Sequence, residues 1–256
     1  MSRVIATLTC IVLLAPAALP ADPVAVRHAE GVVRGFLVLR TLEGKAIADG
    51  DLIQTSRGTR VTTRLVFRFK DGSTHDETAV YSQRGRFRLV SDRLVQRGPT
   101  FPQPLDLSID GVTGDVTVRY ANEHGEPQVA TEHMEVPPDL ANGMILTLMK
   151  NISPEAPPKS VSMIVATPKP RLVKVAIETA GQERFSTGAL RRSATHYVLK
   201  VEIGGVSGLL APLLGKQPPD SHVWILGGEA PAFVKSEQPL YAGGPLWRIE
   251  LVSPTF

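Results

Sequence analysis

The chain has 256 residues, 43% of them hydrophobic, with 28 Lys and Arg set against 25 Asp and Glu. Length and apolar content suffice for a sizeable core, which excludes a disordered chain. The charge excess is small, and Arg60, Arg64, Arg68 and Lys70 alternate with apolar residues, so the one-sided basic field of a nucleic-acid binder is excluded too.

Arg3 opens a short basic stretch, residues 4–14 are uncharged and apolar, and Ala15-Pro16-Ala17-Ala18-Leu19-Pro20-Ala21 offers small residues for cleavage after Ala21. The run is short for a bilayer span and no stop-transfer pattern comes after it. Residues 1–21 therefore read as a signal peptide and the mature chain as periplasmic or secreted; a retained anchor is the alternative. Cys10, the single cysteine, lies inside the apolar run, where a lipid-modified cysteine is not expected. The mature chain of about 235 residues then has no disulfide, thiolate ligand or cysteine nucleophile, and no later segment reaches transmembrane length.

Period-2 patterning dominates the rest of the chain. Val61, Thr63, Leu65, Phe67 and Phe69 alternate with polar residues, which predicts a half-buried strand over 60–70. Asp71-Gly72 predicts a tight hairpin into residues 73–82. Strands are likewise expected at 32–42, 47–55, 86–95, 105–109, 116–121 and 128–136. Pro137-Pro138-Asp139 then precedes a stretch with helical spacing over 140–152. Leu140, Met144 and Leu148 form one stripe, and Ala141, Ile145, Met149 and Ile152 the next. Asp139 is the expected N-cap, Asn142 sits near the free N–H groups of the first turn, and the wide apolar arc predicts a buried helix. Gly143 costs about 1 kcal/mol against Ala within a helix, which suggests a close approach of backbone to sheet. Residues 153–159 read as a Pro-rich corner. Strands resume at 161–166, 172–179, 195–203, 223–226, 232–235 and 247–252, with 206–214 a short helix or an apolar loop. The fold class is mainly β: a large curved antiparallel meander, a half-barrel or barrel-like sheet, packed on one buried α-helix. It is one β-rich domain over 22–256, or two lobes at 22–152 and 153–256.

Catalytic motifs fail on spacing. Residues 208–216 end in Gly-Lys but lack the phosphate-loop spacing and the following Ser or Thr. Residues 204–208 miss the nucleophile-elbow pattern, and no His-Glu-x-x-His occurs. His75-Asp76-Glu77 reads as exposed polar residues past a turn. His133 and Glu135 share a strand face and would need remote partners to hold a metal. His196, Lys200 and Glu202 share one face of a strand, opposite Tyr197, Leu199 and Val201. Lys169, Arg171 and Lys174 form a basic patch, and either cluster is suited to an anionic group or to a solvated sheet face. Trp224 fits a core or rim position better than a ligand-stacking one. The candidate ligand-binding residues are Asp139, Asn142, Met144, Leu148, Lys174, His196, Lys200 and Trp224. No catalytic residue, metal ligand or cofactor is assigned.

The strings Pro137-Pro138-Asp139-Leu140-Ala141-Asn142-Gly143, Thr167-Pro168-Lys169-Pro170-Arg171-Leu172-Val173-Lys174 and Gly227-Gly228-Glu229-Ala230-Pro231-Ala232-Phe233 resemble those of a family of uncharacterised exported bacterial proteins. That resemblance implies no activity and transfers no site residue. The layout, a long meander with one apolar helix, is also similar to the half-barrels of periplasmic lipoprotein carriers, a likeness of fold alone. The expectation is an envelope protein that binds a lipid or another apolar or amphipathic molecule in a curved sheet, with Met-rich surfaces adapting to it. A periplasmic scaffold that meets an envelope protein partner, and a hydrolase or metal enzyme using His133, His196 or Asp139, are the alternatives.

Overall fold

The computed structural model describes residues 22–187, 190–202 and 218–252. The leader with Cys10, the 204–208 and 208–216 stretches and the 206–214 segment lie outside the described residues.

The alternating segments form successive hairpins. The first run comprises β1 (Val33–Thr41), β2 (Ala46–Arg57), β3 (Arg60–Phe69), β4 (Thr74–Arg84), β5 (Arg86–Arg97), β6 (Leu105–Asp110), β7 (Asp115–Ala121) and β8 (Pro127–His133). A short helix, α1 (Ile145–Asn151), comes next. The second run is β9 (Ser160–Val165), β10 (Arg171–Thr187), β11 (Leu190–Glu202), β12 (Ser221–Leu226), β13 (Ala232–Gln238) and β14 (Trp247–Val252). The turn at Asp71-Gly72 shows the local logic. Gly72 takes φ +86°, which an L side chain disfavours, and the Asp71 carboxylate accepts the Ser73 N–H at 2.9 Å.

Consecutive strands within each run pair antiparallel, and β1 pairs with β14, so the two runs share one 14-stranded sheet. It curves without closing, and β8 and β9 are its edges. The connection after β8 lies along the β9 edge: Ala141 N–H donates to the Ser162 carbonyl at 2.8 Å and Ser162 N–H to the Asp139 carbonyl at 3.3 Å. An edge otherwise open to pairing with another chain is thereby partly covered.

The helix is shorter than its sequence pattern. Gly143 adopts φ +63°, a left-handed conformation that cannot continue a right-handed helix. Residues 139–143 therefore run outside the helix, and Asp139 does not cap it. The close approach expected at Gly143 is present: a Cβ there would lie 2.6 Å from both Ala79 Cβ and Asp92 Oδ1. The β10–β11 hairpin extends past its expected ends through a continued ladder from Gly181 and His196 to Thr187 and Leu190; the polar stretch around Gln182-Glu183-Arg184 carries no apolar alternation by which to read it. A bulge between Thr179 and Gly181 interrupts its ladder.

The concave face holds two apolar clusters. The larger packs Met144, Leu148, Met149 and Ile152 against Tyr81, Phe87, Leu107, Val161, Tyr197 and Val223. The smaller contains Leu37, Leu39, Phe67, Phe69, Phe101, Trp247 and Ile249. Four rings, Phe69, Phe101, Tyr241 and Trp247, touch in a cycle with centroids 5.4–6.0 Å apart. Burying a large apolar side chain contributes about 1.5–3 kcal/mol. The space between helix and sheet is thus filled by side chains.

Candidate functional site

The eight residues singled out by sequence fall into three separate places. Asp139, Asn142 and Lys174 clamp the pre-helix segment onto the sheet edge. The buried Asp139 carboxylate accepts from Ser162 Oγ at 2.8 Å and Lys174 Nζ at 3.0 Å, and Asn142 exchanges two hydrogen bonds with the Ile164 backbone at 2.8 and 2.9 Å. Met144 and Leu148 belong to the larger core cluster. His196, Lys200 and Trp224 lie on the convex face. There Trp224 stacks on His196 at 4.2 Å and receives Lys235 over its ring at 4.0 Å, while Lys200 pairs with Glu178 at 2.7 Å. His196 meets His222 at 2.9 Å. Its pKa is lowered by partial burial, against the pull of Glu183. His133 is exposed on β8 beside Asp115. His133, His196 and Asp139 therefore keep separate partners and share no cleft, and no group of three metal-ligating side chains occurs among the described residues.

A different set converges on the concave face. Strand register places Leu94, Glu77, Leu65, Leu52 and Gly35 in one transverse row across β5, β4, β3, β2 and β1. The next row holds Gln96, His75, Phe67, Gly50, Leu37 and Leu251. Gly50 is required there, because a Cβ would lie 2.5 Å from the Phe67 ring and 2.9 Å from Leu37 Cβ. Most inward side chains are buried, but Leu52, Leu65, Thr63 and Glu77 are only partly so, and Val33 and Leu251 are 42% and 48% exposed. Leu251, Leu52 and Leu65 thus make a partly exposed apolar strip in the hollow of the sheet, a shallow groove that leads to Glu77.

The groove ends on acid. Asp92 lies diagonally across from Glu77 on the neighbouring strand, since Glu77 pairs with Leu94 and Ala79 with Asp92. A β-bulge between Val80 and Tyr81 shifts the register after Leu89 and turns Asp92 inward. Asp92 is 2% exposed, lies under Gly143, and neither of its carboxyl oxygens has a hydrogen-bond partner. Burial pushes the Glu77 carboxyl up to about 7. Burial first, and then the neighbouring Glu77, raise Asp92 well above the ordinary carboxylate range. Such a pair holds at least one proton near neutrality, because two like charges in an apolar setting cannot both be ionised cheaply.

The flanking polar groups are already paired. Gln54 donates to Glu30 at 2.9 Å and accepts from Tyr81 at 3.3 Å. Tyr81 meets Thr147 of α1 at 3.1 Å, and Lys150 is held by Glu30 at 2.6 Å. His75, expected on the surface, is buried instead: Nδ1 contacts Gln96 at 3.0 Å, Nε2 has no partner, and burial lowers its pKa to about 4. Period 2 places His75 and Glu77 on the face of Ala79 and Tyr81. Two small clefts lie elsewhere, one of about 150 Å³ beside Pro137, Pro138 and Leu140 and one of about 300 Å³ over Ile47, Phe69 and Trp247.

No protein-family model matches the chain, and no curated protein does. One solved structure is similar to it: a β-barrel-like protein of the domain of unknown function DUF1849 from Brucella abortus, with a TM-score of 0.45, 10% identity, and coverage of 87% of this chain and 96% of that one. The chemistry open to the concave site therefore rests on its own residues: apolar contact along the leucines and hydrogen bonding or charge pairing at their inner end. Among the described residues no helix is long and apolar enough to cross a membrane.

Proposed function

We propose that this is an exported cell-envelope protein that binds an amphipathic molecule against the concave face of its sheet. The observation that carries the reading is the groove of Leu251, Leu52 and Leu65, three adjacent leucines that stay accessible on the concave face and lead to a carboxyl pair. A filled core between helix and sheet moves the binding position away from Met144 and Leu148 and onto these strands. A curved sheet supplies apolar area without a deep cavity, and alkyl chains need only area. Export is supported by the leader-like residues 1–21; N-terminal sequencing of protein released from the periplasm tests it, with a mature start near Asp22 expected.

Ligand binding is tested by titrating purified protein with dodecanol below its aggregation concentration and following heat. Saturable binding is expected, lost in Leu52→Lys and Leu65→Lys proteins that keep the native melting temperature within a few degrees. Absence of saturable binding by alkyl amphiphiles of any head group rejects the proposal.

A second reading, a scaffold or interaction module, has its own support. Phe36 and Ile53 are 37% and 43% exposed, and with Val252 they lie near one end of the convex face. Clustered exposed apolar side chains of this kind mark contact surfaces. If this reading holds, Phe36→Ser abolishes a concentration-dependent increase in sedimentation coefficient or binding to an envelope partner and leaves dodecanol binding unchanged.

A further inference from the structure

We infer that the acid pair Glu77–Asp92 is the head-group subsite of the groove, and that it takes a cationic, ammonium-type head rather than an anionic one. The inference rests on the amphiphile-binding reading above and names the ligand's polar end. Three observations carry it.

The first is position. Glu77 is the direct cross-strand neighbour of Leu65, so an alkyl chain lying along Leu251, Leu52 and Leu65 brings its end to the Glu77 carboxyl. The second is the state of Asp92, which is almost wholly buried with both oxygens unpartnered. Buried polar groups are nearly always hydrogen-bonded, so the covered Asp92 leaves the pair short of a donor and of positive charge, and Glu77, its partly exposed member, is where a ligand can supply them. The third is that no cation of the described chain faces the pair. From β3, Thr63, Leu65 and Phe67 face it, and from β5 Leu94 and Gln96. From its own strand it is faced by Ala79 and by His75, whose ring nitrogen is bound to Gln96, and from the pre-helix turn by Gly143. The nearby arginines Arg64, Arg68 and Arg93 point to the other face and are paired with Asp76, Asp51 and Asp106, and Lys150 is held by Glu30.

An ammonium donates up to three hydrogen bonds and carries the opposite charge, so it pairs with the Glu77 carboxylate and displaces the proton that Glu77 holds. A carboxylate head would bring a third negative group to the pair. Because the raised carboxyl pKa of Glu77 must fall when the cation binds, amine affinity rises with pH through neutrality.

The test is calorimetric titration of the native chain with dodecylamine, dodecanol and dodecanoate at pH 6 and pH 8. At pH 8 dodecylamine is expected to bind at least tenfold tighter than dodecanol, and dodecanoate weaker than both. Dodecylamine affinity should fall several-fold at pH 6 while dodecanol affinity holds. Glu77→Gln, an isosteric change, should bring dodecylamine to the dodecanol level without altering dodecanol. Equal affinities for the three heads, or an amine preference that survives Glu77→Gln, overturn the inference and leave apolar binding standing. Failure of all three to bind overturns the binding reading itself.

Discussion

Four diagonal pairs of charged side chains on neighbouring strands can be compared directly, three on the convex face and one on the concave face. Outside, Arg64 meets Asp76 at 2.6 Å, Arg68 meets Asp51 at 2.6 Å and Arg93 meets Asp106 at 2.9 Å. Each joins residues one pairing step off direct opposition, as Glu77 and Asp92 do inside. The backbone geometry is shared; sign and medium differ. Outside, opposite charges meet in water, where such pairs contribute about 0–1 kcal/mol. Inside, like charges meet among leucines, where ionisation is opposed. A sheet therefore places polar partners with equal ease on both faces, and an unmatched pair on the buried face marks a position whose residue types are not explained by stability.

The strongest way to break the concave arrangement is to disturb what lies over it. Gly143→Ala forces a side chain into a left-handed backbone and 2.6 Å from Ala79 Cβ and Asp92 Oδ1. Backbone strain and overpacking together should cost about 3–4 kcal/mol, read as a lowered midpoint in urea. A loss under 1 kcal/mol would mean that the segment does not press on Asp92.

Neutralising the inner pair should do the opposite. Glu77 has a folded pKa raised to about 7, so the folded state binds its proton more tightly than the unfolded state. Its contribution is fully present below the unfolded value near 4.5 and is lost as pH rises through 7. Glu77→Gln should therefore be nearly neutral at pH 4 and stabilising by about 2 kcal/mol at pH 8, in denaturant titrations at both pH values. The equivalent change outside, Asp76→Asn, should destabilise slightly at pH 8, because Arg64 holds the Asp76 pKa low.

Much of this comparison was legible in the sequence, and the remainder was hidden for identifiable reasons. Strict alternation at Val61, Leu65 and Phe67 and turn chemistry at Asp71-Gly72 specify their strands locally. Asp92 escaped because a bulge after Leu89 reverses the alternation set by Phe87 and Leu89, and bulges carry no dependable residue signature. His75 and Glu77 escaped because the strand is polar on both faces, from Thr74 to Thr78, so its inner side is identifiable only from neighbouring strands. Asp139 has the residue type of a helix cap and occupies an edge clamp instead, because the left-handed Gly143 delays the helix by a turn.

His75 sharpens the comparison in acid. Burial depresses its pKa to about 4, so its contribution is present above 6.5 and is lost as pH falls from 6.5 through 4. That runs against Glu77, whose protonation favours folding over much of the same range. His75→Gln, which keeps a polar partner for Gln96, should flatten the acid-side loss by about 2 kcal/mol. In Glu77→Gln protein the acid-side loss should stand out more steeply, because the opposing gain is gone. Identical profiles between pH 4 and 6.5 for native and His75→Gln proteins would show that the ring titrates freely.

The smallest expected effect lies outside. Arg64 is more than half exposed while it grips Asp76 through two hydrogen bonds of 2.6 and 3.0 Å. Water and salt screen that attraction, and ordering two long side chains opposes it. Arg64→Ala should lower stability by less than about 1 kcal/mol, and the coupling measured with Asp76→Ala in a double-mutant cycle should be about 0.5 kcal/mol. Raising salt to 1 M, where the screening length falls to about 3 Å, should shrink the coupling further. Desolvation, not a distant charge, raises the Glu77 pKa, so the pH-dependent gain from Glu77→Gln should survive the same salt. If salt abolished both effects alike, the two faces would share one dielectric environment, and burial could not be what holds the protons on Glu77 and Asp92.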